Sequence, residues 1–168
     1  MKKVFLLLFL LPVFAMAQDT CQLKKETDPF THETKISTGF VSFISNGVKF
    51  NVSVDATPSQ IDFFFWFTGD SKCFDDESTI QLNYEGERLK ANFKNSGSMN
   101  CEGAFHFSFR NTVATPSNLK KIGERKISSF KITGANNTVT EITLNEDQRQ
   151  LFRRMTSCVL LQAKTLIK

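Results

Sequence analysis

The sequence predicts a mainly β fold of the α+β kind: about eight antiparallel strands, spaced as in a sandwich or barrel, with one amphipathic C-terminal helix packed on them. Three observations predict it. Short β-branched and aromatic runs alternate with polar residues and are separated by Gly, Pro and Asn turn signals. The last long segment changes to a helical period. Four cysteines, Cys21, Cys73, Cys101 and Cys158, suit two covalent staples on such a body.

The first element lies outside this fold. Met1-Lys2-Lys3, the apolar run from Val4 to Phe14 and the small-x-small site Ala15-Met16-Ala17 make a secretory signal over residues 1–17. Cleavage near Ala17 would release residues 18–168 as one secreted or periplasmic, disulfide-stapled domain. The apolar run is shorter than the roughly 20 residues of a membrane helix, and no other run is longer, so no transmembrane segment is expected. No cysteine directly follows the cleavage site, which counts against a lipid anchor.

Gln18 to Thr34 reads as polar and irregular. Lys35 to Ile44 reads as a strand, and Val48 to Val54 as its hairpin partner across Asn46-Gly47. Both turn residues tolerate positive φ, so this is the clearest short hairpin signal in the chain. Ile61 to Thr68 is apolar at both parities and predicts a central strand covered on each side. The alternative for Phe63, Phe64, Phe65, Trp66 and Phe67 is an exposed ligand or partner surface.

Thr79 to Tyr84 and Arg88 to Lys94 predict a second hairpin around Glu85-Gly86. In Ala104 to Arg110, Phe105, Phe107 and Phe109 share one face, and His106, Ser108 and Arg110 the other. Ser117 is expected to cap one or two helical turns through Ile122. Lys126 to Thr133 and Thr138 to Leu144 are the last two strands.

Asn145 with Gln148 forms a capping box, and Leu151, Phe152, Met155, Cys158 and Val159 trace one apolar stripe. The predicted helix, Glu146 to Ala163, would be roughly 27 Å long. Cys158 on that stripe favours a Cys21–Cys158 bridge that holds the helix down, which leaves Cys73–Cys101 to clamp a hairpin region.

Composition bounds the function. The formal charge is +4, and loss of Lys2 and Lys3 lowers it to +2. So small a charge carries no polyelectrolyte signal for nucleic acid. Of 18 phenylalanines three (Phe5, Phe9, Phe14) precede the cleavage site, leaving fifteen beside one Trp and one Tyr. They predict either a Phe-packed core or an apolar cavity for a lipid-like ligand. Scarce Trp and Tyr count against a carbohydrate platform.

Candidate chemistry is sparse. His106 and Ser108 share a strand face, yet a triad also needs an orienting acid and an oxyanion hole. His32 sits beside Glu33 in an irregular segment. Asp70, Asp75, Asp76 and Glu77 could bind calcium but lack the EF-hand order. No C-x-x-C is present and neither His adjoins a Cys, so no metal site is expected. No cofactor motif appears, and paired cysteines leave no thiolate nucleophile. Lys120, Lys121, Arg125 and Lys126, and separately Arg149, Arg153 and Arg154, are basic clusters that read as solubilising faces.

The sequence therefore favours an exported, non-enzymatic binding or envelope-associated module, with an apolar small molecule or another exported protein as partner. The alternatives are a small hydrolase using His106, and an inhibitor or accessory protein that presents the loop around Cys73.

Overall fold

The computed structural model describes residues 21–69, 72–88 and 90–167. The leader over residues 1–17, Asp70 and Leu89 lie outside the described residues. The order of elements is β1 (Lys24–Thr27), β2 (Thr34–Ser37), β3 (Val41–Ser45), β4 (Val48–Ala56), β5 (Gln60–Thr68), β6 (Thr79–Tyr84), β7 (Lys90–Lys94), β8 (Ala104–Arg110), α1 (Ser117–Glu124), β9 (Ile127–Thr133), β10 (Val139–Thr143) and α2 (Glu146–Ala163).

The described residues thus form ten strands, not eight. Two departures account for the difference. The run from Lys35 to Ile44 is broken at Gly39, whose φ of +65° is left-handed, and becomes β2 and β3. Both then pair with the same edge of the long β4: Ser37 with Asp55, and Val41 with Val52. The segment read as irregular supplies β1, which pairs with β2 although all four of its side chains are exposed. Its polar sequence hides a strand whose stability comes from the ladder, not from burial.

The strands form two antiparallel sheets. One has the order β1-β2-β4-β5-β8 with β3 also on β4, and the other has the order β10-β9-β6-β7. Neither order closes on itself, so the barrel alternative gives way to two open sheets. Their inner faces, including Phe50, Phe63, Phe65, Phe105 and Phe107 from the first and Ile80, Leu82, Phe130 and Ile132 from the second, belong to one hydrophobic cluster.

The helix α2 joins the layers. Phe152 is fully buried, with ring centroids 6.4 Å from Phe63 and Phe65 and 5.4 Å from Phe130. One side chain thereby touches both sheets. The capping box forms as expected: the Gln148 amide donates to Asn145 Oδ1 at 2.9 Å, and the Asn145 amide donates to Gln148 Oε1 at 3.0 Å. The Gln148 side chain also donates to the Ile44 carbonyl at 2.8 Å and fastens the helix start to β3. In α1, Ser117 is already helical and Pro116 takes the cap position without a side-chain bond, so the expected serine cap does not form. Gly123 lets α1 approach α2 closely, because a Cβ there would lie 2.6 Å from Leu160 Cδ1.

The cysteines pair as Cys21–Cys158 and Cys73–Cys101, separated by 137 and 28 residues. Loop-closure entropy assigns them about 5 and about 3.6 kcal/mol as upper values. Two such bonds indicate an oxidising, extracytoplasmic environment. Among the described residues no helix is long and apolar enough to cross a membrane.

Candidate binding face on the six-stranded sheet

Strand β5 carries the candidate surface. It is hydrogen-bonded to β4 on one edge and to β8 on the other, so both of its edges are paired. Its side chains alternate. Ile61, Phe63, Phe65 and Phe67 are buried in the core, and Asp62, Phe64 and Trp66 point to the outer face. The expectation of a strand covered on both sides is therefore corrected at Trp66, which is 48% exposed. The expected surface shrinks as well. Phe63, Phe65 and Phe67 cannot reach solvent, because a period of two sends them inward whenever Trp66 faces out. Phe64 is half-buried, and its ring stacks on His106 at 4.7 Å with 10° between planes.

Strand register lays the outer face out in rows. Asn51 of β4 lies opposite Trp66, which lies opposite Ala104 of β8. The next row places Ser53, Phe64 and His106 together, and the row beyond it Ser37, Asp55, Asp62 and Ser108. Phe40, in the bend before β3, meets Trp66 edge-on with centroids 6.0 Å apart and 73° between planes. Phe40 is 57% exposed, and the sequence did not single it out. No local pattern marks it, since its contact with Trp66 is made across β4.

Beside the aromatics on this face lies a buried polar row the sequence also did not single out. Asp55 and Asp62 are 5% and 8% exposed and sit directly opposite each other. Like charges so placed repel unless each is compensated. Asp55 Oδ1 accepts from the Ser37 and Ser53 hydroxyls, both at 2.5 Å, and Oδ2 pairs with Lys35 Nζ at 2.6 Å. Asp62 Oδ1 accepts from Gln60 Nε2 at 2.5 Å and faces His106 Nε2 at 3.4 Å. The only sequence clue was an acid inside an otherwise apolar run.

His106 therefore has an acid partner. Its other nitrogen, Nδ1, faces the Gly97 turn, where an added Cβ would lie 3.6 Å away. Its amide donates to Asn95 Oδ1 at 3.0 Å. Among the described residues no hydroxyl is hydrogen-bonded to the imidazole, Ser108 included. The pair is an Asp–His arrangement without a positioned nucleophile.

The remaining candidates are held in structural roles. His32 is exposed, with φ +55°, in the β1–β2 turn. In the Cys73 loop, Asp75 Oδ1 accepts from the Ser78 hydroxyl at 2.7 Å and the Glu77 amide at 3.1 Å. The Ser78 hydroxyl holds the Asp75 carboxyl below its ordinary value. Among the described residues no three His, Cys, Asp or Glu side chains are gathered to hold a metal. Most of the basic clusters are matched by acids: Lys120 with Glu124, Arg125 with Glu87, Lys126 with Glu85 and Glu146, and Arg149 with Glu85. The hydrogen bond from Lys126 holds the Glu146 carboxyl below its ordinary value.

Two surface grooves flank α2. The larger, about 740 Å³, runs between Cys21–Leu23, Val41 and the helix residues Leu151, Met155 and Leu161. The smaller, about 450 Å³, lies between α1 and α2. No phenylalanine lines either groove. Comparison with protein-family models, with curated proteins and with solved structures finds no match to this chain.

Proposed function

We propose that this is an exported, non-enzymatic binding module with a sandwich-like body, whose contact surface is the outer face of the six-stranded sheet centred on Trp66. The observation that carries the reading is the position of the only tryptophan. A large aromatic ring is half-exposed on a strand paired along both edges, beside a second exposed ring, Phe40. Exposed aromatics on a rigid element supply contact area at little entropic cost. The leader pattern and the two disulfides support export. The core phenylalanines pack ring on ring, for example Phe63 on Phe107 at 4.9 Å, which argues against an enclosed apolar ligand.

The test is site-specific photocrosslinking in the exporting cell. A photoreactive residue replaces Ala104, which lies opposite Trp66, or Gln81, which lies on the outer face of the other sheet. Adducts from position 104 and none from position 81 are expected. Adducts from 81 alone would defeat the proposal. The hydrolase reading retains one supporting observation, the 3.4 Å approach of His106 to Asp62. It requires His106→Ala to abolish a measured turnover.

A further inference from the structure

We propose that the Cys73–Cys101 bridge is a reducible switch: an exported dithiol attacks Cys101, opens the bridge and loosens the turn that holds the end of β5. Cys21–Cys158 stays closed as the structural bond. This inference is independent of the binding face proposed above.

Strand register is its first support. Phe74 and Asn100 exchange both backbone hydrogen bonds, at 2.8 and 2.9 Å. The next residues out, Cys73 and Cys101, therefore stand directly opposite each other as a narrow, non-hydrogen-bonded pair. Such pairs hold their Cα atoms about 4.5 Å apart, whereas a relaxed disulfide prefers roughly 5.5–6 Å. The backbone thus imposes a spacing that the bond does not favour, and bridges under such constraint are the more easily reduced. Cys21 precedes β1 and Cys158 lies in α2, so no ladder constrains their bridge. Exposure does not separate the two bonds, since each joins one exposed cysteine to one half-buried one.

Loop length points the same way. Cys73–Cys101 closes a separation of 28 residues and Cys21–Cys158 one of 137. The shorter loop gains less from closure, so a weaker reductant opens it.

The segment also stays in place without the bond. The Cys73 carbonyl accepts from the Ala135 amide at 3.0 Å, and the Lys72 carbonyl from the Gly103 amide at 3.0 Å. Phe74 is buried against Phe67 and Phe105. Opening is therefore a local event, and its effect falls on β5. The Gly103 carbonyl accepts from the Phe67 amide at 2.9 Å, and Ala104 lies opposite Trp66. With the bridge open, hydrogen bonds alone hold the Cys101 turn to that strand end.

The exchange is a two-electron step. One thiolate of the dithiol attacks exposed Cys101 Sγ, the S–S bond breaks, and Cys73 leaves as a thiolate that takes up a proton. The second thiolate of the dithiol then attacks its own partner sulfur in the mixed disulfide and releases Cys101 as the second thiol. The protein bridge is reduced and the dithiol is oxidised to a disulfide.

The mature, oxidised protein is equilibrated with dithiothreitol at graded ratios of oxidised to reduced form, quenched in acid, alkylated and mapped by mass spectrometry. Cys73–Cys101 is expected to open at a ratio at least about tenfold more oxidising than Cys21–Cys158 requires, a gap of about 30 mV. Circular dichroism should remain that of the folded chain throughout. Hydrogen exchange at the Phe74 and Asn100 amides should speed up about tenfold. Brief treatment with glutathione should leave its adduct on Cys101.

Simultaneous opening of both bridges, earlier opening of Cys21–Cys158, or opening only with loss of the folded spectrum would each overturn the switch. An adduct on Cys73 alone would overturn the attack site. The double variant Cys73→Ser, Cys101→Ser should keep both the folded spectrum and the Cys21–Cys158 bridge. A double variant that unfolds would overturn local opening.

Discussion

The two sheets share one core but present opposite kinds of outer face. On the four-stranded sheet several polar side chains pair across the strands. Gln81 donates to Asn92 at 3.0 Å, Asn83 donates to Ser129 at 2.9 Å, and Lys131 pairs with Glu141 at 3.5 Å. On the six-stranded sheet Asp55 and Asp62 are buried on the outward side, and Trp66 and Phe40 stand half in water. The first face is largely paired, although Asn83 Oδ1 is buried without a partner among the described residues and Val139 is exposed. The second combines buried charge with exposed apolar area, two features that cost stability, so it is the one that invites a functional explanation.

The sharpest way to test that contrast is within β5 itself. Phe65→Ala should cost about 3–5 kcal/mol, because it empties a site enclosed by Phe105, Phe107, Phe130 and Phe152. Its neighbour Trp66→Ala should cost only about 1 kcal/mol, since half the ring is already in water. Urea unfolding of both variants measures this. Near-equal losses would mean that Trp66 is a core residue and that the outer face is covered.

Gly103→Ala should follow in size, at about 3 kcal/mol. Gly103 has φ +79°, and an added Cβ would lie 2.5 Å from the Phe67 carbonyl oxygen, so both the backbone and the space refuse it. Thermal unfolding is the check. A variant as stable as the parent would show that the Cys101 loop can leave the end of β5 freely.

Asp55→Asn should cost about 2 kcal/mol, because the charged acceptor of three donors is lost in a buried position. Glu141→Gln on the other sheet should cost under about 0.5 kcal/mol, as exposed pairs do. Equal effects would erase the distinction between the two faces.

The smallest effect is on acid stability, and it belongs to the four-stranded side. Asp75, in the loop leading to β6, and Glu146, paired with Lys126 just before β9, both have carboxyls below their ordinary values of 3.8 and 4.5. A lowered folded value means that the stabilisation is present above the ordinary value and fades as pH falls through the folded one. Asp75→Asn and Glu146→Gln should therefore differ from the parent at neutral pH, begin to approach it below pH 3.8 and 4.5 respectively, and meet it only once the pH has fallen through the lower folded values. A gap that persists in acid would show that geometry, not charge, is responsible.

Much of the fold was legible because its signals are local. Asn46 and Gly47 adopt φ of +50° and +77° in a two-residue turn, as their chemistry requires. Phe105 and Phe107 are buried beside half-buried His106, as a period of two demands. Most of the candidate site was not legible. An apolar run such as Ile61 to Thr68 has two faces of similar hydropathy, and alternation alone does not say which face meets the second sheet. Phe40 reaches Trp66 across β4, and Asp55 finds Asp62 only through strand register. These contacts follow from pairing, which no window of sequence contains.

The chain by itself determined its turns, its capping box, its alternating strands and a place for Cys158 on the helix stripe that favoured one pairing. Each of these depends on a residue and its near neighbours, so short-range sterics and hydrogen bonding were enough. Only the tertiary structure decided that β2 and β3 share one edge of β4, that Phe152 touches both sheets, and that the outer face of β5 stays open around Trp66. Each of those depends on which surface is left after the apolar faces have been buried together, and burial is a property of the whole chain.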